Sequence, residues 1–156
     1  MSVKSPREFP RDNAPEGTDV WVERTAEREL TGFNVRGVSI PIGRGEGRIT
    51  PGELLKLSLI GCAGMTMDNS AAHRLGEDFA LRITARATSD EKENRYLDIA
   101  EEIELDLSGL TEDEQARLTD LLSKVIGRGC TVERTVTADP AIRHTIINAA
   151  EKDQNA

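Results

Sequence analysis

Thr50-Pro51-Gly52-Glu53-Leu54-Leu55-Lys56-Leu57-Ser58-Leu59-Ile60-Gly61-Cys62-Ala63-Gly64-Met65-Thr66-Met67 decides the fold of this chain. Thr50 and Glu53 have the spacing of a capping box, in which each side chain satisfies the other residue's backbone N–H. Pro51 stands at the first helical position, where its missing N–H costs nothing. From Leu54 to Met67 apolar residues lie nearly all round the helix, interrupted by Lys56, Ser58 and Thr66. A helix apolar on most faces is a buried one. It is expected to run to about Arg74 and to stop at Gly76. Lys56 is expected to carry its amine out to water along its alkyl stem.

Working outward, Val20, Val22 and Ala26 alternate with polar residues, so 19–30 reads as one strand. Thr31-Gly32 reads as a turn. Phe33, Val35, Val38, Ile40 and Ile42 give a second strand with a register change near Gly37. Gly43-Arg44-Gly45-Glu46-Gly47 reads as a flexible loop; it lacks the Gly-Lys-Thr ending of a phosphate loop. Phe79, Leu81, Ile83 and Ala85 give a third strand, followed by a charged turn at Asp90–Asn94. Tyr96, Ile99, Ile103, Leu105 and Leu107 give a fourth, kinked near Ala100-Glu101. Thr111 and Glu114 form a second capping box. Leu118, Leu121, Leu122 and Val125 follow at helical spacing, opposite a polar face, and Gly127 is expected to stop that helix. Cys130, Val132, Arg134 and Val136 alternate like a strand, and 143–148 reads as a last strand. The order specifies an α+β domain with antiparallel pairing.

Composition narrows the function. The 156 residues suit one domain, expected over 18–150, with 1–17 and 151–156 loosely attached. Five aromatic residues leave the core to Leu, Ile, Val and Ala. A net charge of -8 argues against a phosphate-backbone surface, so no nucleic acid partner is expected. No run reaches the eighteen apolar residues of a membrane span, so no membrane partner is expected. Met1–Gly17 has no apolar core of a secretory signal; a cytoplasmic protein with reduced thiols is expected. There is no C-x-x-C, and neither His73 nor His144 has a metal-ligand neighbour at helical spacing. No metal or other cofactor is expected.

Cys62 and Cys130 are the only thiols. Cys62 stands among Leu59, Ile60, Ala63 and Met65, sheltered from water. Such a thiol is either a small hydrophobe in a core helix or a site where oxidant chemistry is protected from solvent. Met65 and Met67 fit either ordinary core filling or the lining of a pocket for an apolar ligand.

Three segments resemble the OsmC/Ohr family of osmotically inducible and organic hydroperoxide resistance proteins. Gly32-Phe33-Asn34-Val35-Arg36 is similar to the family's Gly-Phe-Asn-Thr-Arg. Thr50-Pro51-Gly52-Glu53-Leu54-Leu55 through Gly61-Cys62 is similar to its Asn-Pro-Glu-Glu-Leu helix, which reaches a cysteine eleven residues after the proline. Gly129-Cys130-Thr131-Val132 is similar to its second cysteine segment. The resemblance covers about 19–148. It implies antiparallel curved sheets wrapped around a long central buried helix in an intertwined homodimer. It implies reduction of organic hydroperoxides, with Cys62 as the peroxidatic thiolate, Cys130 as the resolving thiol and Arg36 as the activating cation. A dithiol reductant, a lipoylated protein in the best-known branch, would recycle the disulfide. For residues 130–137 the resemblance implies a short helix, against the alternation.

The chemistry agrees with those roles. The thiolate is the nucleophile, and burial alone disfavours it. Arginine stays charged when desolvated, which suits Arg36. A sulfenic acid at Cys62 is protected from further oxidation by condensing with Cys130. One departure stands out. The family's first Glu, which pairs the arginine, is Gly52 here, and Glu53 alone remains as the candidate catalytic carboxylate. Nine or ten residues of helix span about 14–15 Å, so a carboxylate at the helix start cannot reach Cys62 of its own chain. Antiparallel packing of two such helices would place one chain's helix start beside the other's cysteine, giving a site shared between subunits. The alternative is a catalytically weak or inactive relative that binds a small ligand or a protein.

Overall fold

A computed structural model describes residue 17 and residues 19–148 of the chain. The terminal segments expected to be loosely attached lie almost wholly outside that range. The described chain is a mixed α+β fold. Its elements are β1 Val20–Ala26, β2 Glu29–Asn34, β3 Ser39–Ile42, α1 Pro51–Leu75, β4 Leu81–Asp90, β5 Arg95–Leu105, α2 Glu112–Gly129 and α3 Thr131–Val136. Two compact units result. Among the described residues, one holds those up to Ser58 together with Ala85–Glu101; the other holds Leu59–Thr84 and those from Glu102 to 148.

In the first unit β1, β2 and β3 form an antiparallel meander. Trp21 and Phe33 face each other across β1 and β2, and their rings stack with centroids 5.4 Å apart. Such a pair adds about 0.5–1.5 kcal/mol beyond the area it buries. The loop after β3 is closed by its backbone: Gly43 N–H donates to Ile49 O and Ile49 N–H to Pro41 O, each at 3.0 Å. Arg48 ties it to β2 through Glu29 at 2.6 Å.

The first strand differs from the sequence reading. Residues 19–30 are not one strand, because the chain reverses at Glu27-Arg28, where Arg28 takes the left-handed φ of 56°. Thr31-Gly32, expected as the turn, lies inside β2. The second turn falls at 35–38, where the Asn34 side chain accepts from the N–H groups of Arg36 and Val38, both at 3.0 Å. A short polar side chain that bonds nearby backbone is a turn device in its own right.

The capping box of α1 forms as expected. Thr50 N–H and Oγ1 donate to Glu53 Oε2 at 2.7 and 2.8 Å, and Glu53 N–H donates to Thr50 Oγ1 at 3.3 Å. Over the first turn of α1 lies Tyr96, and a Cβ at Gly52 would overlap its hydroxyl. Lys56 Nζ stands 5.8 Å from the centre of the same ring, so its amine meets an aromatic face.

In the second unit, Leu59, Ala63, Met67 and Ala71 are the buried residues of α1, spaced by four. Leu118, Leu122 and Ile126 of α2, with Cys130 beyond its end, repeat that spacing. Ala63, Met67 and Ala71 join the α2 series in one apolar cluster, flanked by Phe79, Ile83, Ile103, Leu105 and Val132. Met67 is fully enclosed, whereas Met65 is 84% exposed. The burial of α1 within its own chain is therefore one-sided.

The chain after α2 also departs from expectation. α2 runs through Gly127 to Gly129, and Cys130 N–H still donates to Ile126 O at 2.8 Å. Burial of Ile126 and Cys130 offsets the roughly 1 kcal/mol that a helical glycine costs. Residues 131–136 are helix rather than strand: the Cys130 sulfur caps the turn by accepting from Glu133 N–H at 3.5 Å, and Arg134 N–H donates to Cys130 O at 3.1 Å. Residues 143–148 form no strand, and Ile146 is 98% exposed. Alternation marks a strand only where a neighbouring strand pairs with it. β5 runs unbroken through Ala100-Glu101.

The Gly52 contact yields a stability test. Alanine is the better helix former by about 1 kcal/mol, but forcing a methyl against the Tyr96 oxygen costs about 1–3 kcal/mol. Gly52→Ala is expected to lower stability by about 1 kcal/mol in urea unfolding. In a Tyr96→Phe background most of that penalty should vanish. An equal penalty in both backgrounds would show that Tyr96 is not its cause.

Candidate active site at Cys62 and Cys130

Cys62 lies midway along α1 and Cys130 at the junction of α2 and α3, both in the second unit. Neither is in a disulfide. Cys62, expected to be sheltered from water, is less enclosed than Cys130. Cys62 is half-buried, while Cys130 is 1% exposed and belongs to the core cluster. The covered face of α1 explains this: Gly61 and Met65 face outward, and Ala63 takes the buried position.

The two sulfurs are driven in opposite directions. Cys62 is held below the ordinary thiol range, first by the backbone N–H of Val132 and then by the thiol of Cys130. The Thr66 hydroxyl and the Thr131 N–H add to the effect, against partial desolvation. Cys130 is pushed above that range, chiefly by burial and further by its neighbour Cys62, while Glu133 N–H works the other way. Hydrogen bonds to a charged form favour it, and burial disfavours it. Of this pair Cys62 is therefore the sulfur that ionises first, and Cys130 the one that keeps its proton longer.

Close approach of the chain at Gly129 brings the parts together. A Cβ at Gly129 would stand 2.7 Å from the Thr66 methyl, so the end of α2 can lie against α1 there only without a side chain. The first N–H groups of α3 then fall to Cys62. Val132, Thr131 and Thr66 were not singled out as site residues by the sequence reading. The one available signal was the Gly-Cys pair at 129–130, if read as a helix junction instead of a strand.

The other two candidates belong to the first unit. Arg36 sits in the β2–β3 turn, exposed, with its backbone N–H bonded to Asn34. Glu53 is exposed and spends its carboxylate on Thr50, whose backbone and hydroxyl hold it below the usual carboxylate range. Met67 is core, and Met65 is solvent-facing. Among the described residues no group of His, Cys, Asp and Glu is arranged to hold a metal ion, and no helix is long and apolar enough to cross a membrane.

Residues 43–145 match the family model of OsmC-like protein. A protein of uncharacterised function from Mycobacterium tuberculosis is 39% identical over 133 residues, covering 84% of this chain and 97% of its own. A Mycobacterium bovis protein of the same description matches equally. Among solved structures, a protein from Psychrobacter arcticus assigned to osmotic stress induction and the detoxification response shares the fold with a TM-score of 0.61. It is 16% identical, over 78% of this chain and 90% of that one. An OsmC-like protein from Mycoplasma pneumoniae superposes with a TM-score of 0.54 at 14% identity, over 81% and 91% of the two chains. At such identities these structures speak to the fold alone, and they agree with the family match. The chain belongs to the OsmC-like protein family.

Proposed function

We propose that this protein is a thiol-dependent peroxidase that reduces hydroperoxides, organic ones in particular, through Cys62 and Cys130. The observation that carries the reading is the sulfur pair itself: two free thiols within hydrogen-bond reach of each other, Cys62 partly buried and Cys130 enclosed in the core. The Cys62 thiolate attacks the distal peroxide oxygen, the O–O bond breaks and the alcohol leaves with a proton. Cys62 becomes a sulfenic acid. The Cys130 sulfur then attacks the Cys62 sulfur; its proton leaves with the hydroxyl as water, and a disulfide forms. A dithiol reductant of the lipoyl class returns both thiols by exchange, becoming a disulfide itself.

The active site is completed in a homodimer. Leu57 is 50% exposed and Met65 84% exposed on an otherwise apolar helix, which suits coverage by a second copy. Arg36 of one subunit is the cation assigned to the partner subunit's Cys62, with Glu53 as its carboxylate. A guanidinium there would add to the hydrogen bonds that already favour the thiolate.

A second reading, a dimeric binding module without turnover, is favoured by one observation. The place of the family carboxylate at Gly52 is filled by Tyr96, and Glu53 is engaged with Thr50. The two readings part on thiol chemistry. One equivalent of cumene hydroperoxide should remove both free thiols, counted under denaturing conditions, and Cys62→Ser should leave Cys130 intact. Survival of both thiols in excess oxidant selects the binding module.

The opposite pKa directions set a pH order. Iodoacetamide should modify Cys62 at lower pH than an unfolded cysteine, and Cys130 only at higher pH, followed by peptide mass spectrometry. Cys130→Ala removes the thiol donor, so its Cys62 profile should move toward higher pH. Light scattering after size-exclusion chromatography should give the mass of a dimer at micromolar concentration; a monomer would sink the shared site.

A further inference from the structure

Among the described residues, Thr66 and Cys130 are the side chains that hydrogen-bond the Cys62 sulfur. Thr66 lies four residues on, where side chains of a helix meet across one turn. Its Oγ1 donates to the Cys62 carbonyl oxygen at 2.7 Å. A helical threonine normally divides between two χ1 rotamers, because its hydroxyl can bond the preceding turn in either. Here the methyl removes that freedom. It packs where a Cβ of residue 129 would be, 2.7 Å from that position, so the bare α-carbon of Gly129 accommodates Cγ2. With the methyl turned to α2, the hydroxyl is left facing Cys62, within reach of both its carbonyl and its sulfur.

One hydroxyl carries one proton. It serves the carbonyl when the sulfur is neutral. An ionised sulfur is the stronger acceptor, since charge-assisted hydrogen bonds are roughly twice as strong as neutral ones. We propose that Thr66 is a positioning residue for Cys62: with its methyl seated on Gly129, its hydroxyl turns from the Cys62 carbonyl to the sulfur when the sulfur carries charge, and returns when the sulfur is oxidised. No bond is made or broken in this rotation. It keeps the thiolate aimed without adding a fixed charge that would also hold the product. The ionisable groups acting on the two sulfurs are the cysteines themselves and Glu133, beside Cys130. This assignment rests on Cys62 being the reacting thiolate.

Three variants test it in the full-length chain. Thr66→Val keeps the shape and deletes the proton; Thr66→Ser keeps the proton and deletes the methyl; Gly129→Ala keeps Thr66 but fills the seat of its methyl. The readout is the pH profile of Cys62 alkylation, alongside thiol loss to cumene hydroperoxide. Thr66→Val and Gly129→Ala should both slow Cys62 alkylation on the acid side of the wild-type midpoint, by about threefold to tenfold, as expected for a shift of up to one pH unit. Thr66→Ser should stay nearer to wild type. A purely structural Thr66 would alter thermal stability without moving the profile, and an unmoved profile in Thr66→Val and Gly129→Ala overturns the assignment. Should Thr66→Val fail to fold, Thr66→Ser and Thr66→Ala carry the test: Thr66→Ala displaced farther than Thr66→Ser supports the role, and the reverse order refutes it. Wild-type thiols that survive cumene hydroperoxide would instead remove the peroxidase reading, a result independent of where the alkylation midpoints fall.

Discussion

Two segments far apart in the chain must close to hydrogen-bond distance before either cysteine differs from a free thiol. The Cys62 sulfur accepts from the Val132 N–H and the Cys130 thiol, so the α2–α3 junction has to lie directly against α1. The apolar residues spaced by four along both helices bring it there, and Gly129 permits the final approach. Everything distinctive about the site follows from that contact. It decides which sulfur ionises first, because the donors converge on Cys62 while burial falls on Cys130. Coulombic attraction to a cation is not the only route to a thiolate: aligned amide dipoles act on it within the same chain.

What could be read in the residues was whatever local chemistry dictates. Thr50 with Glu53 and Thr111 with Glu114 start the two main helices as their spacing requires, and α1 stops just before Gly76. The α+β class was legible too, and the two cysteines named from the sequence lie within hydrogen-bond reach of each other. The failures share a cause: each depended on something beyond the local pattern. Thr31-Gly32 has the composition of a turn, yet pairing of β2 with both neighbours holds it extended and moves the reversal to Glu27-Arg28. Residues 130–137 alternate over too short a span to separate strand from helix, and the sulfur cap on Glu133 tips the balance. Residues 143–148 have the pattern of a strand and no strand formed. The exposure of Cys62 could not be foretold either, because apolar neighbours in sequence say nothing about which face of a helix is covered.

Gly52 illustrates how one substitution redistributes a function's parts. A glycine at the second residue of a helix weakens it slightly, and here the Tyr96 hydroxyl fills the space above it. Glu53, one residue on, holds the helix start instead. The local structure is thus self-consistent without the carboxylate that the family motif carries at this position. The burden of favouring the Cys62 anion then falls more heavily on the donors grouped around it in the second unit.

The separation of those donors in sequence has a temporal meaning. A ribosome emits Cys62 long before Cys130, Thr131 and Val132. Until the later stretch arrives and docks, the earlier sulfur keeps the modest nucleophilicity of any thiol in an unfolded peptide. The hydrogen bonds that lower the Cys62 pKa are thus assembled only when folding is complete, and on a half-made chain this sulfur is an ordinary thiol.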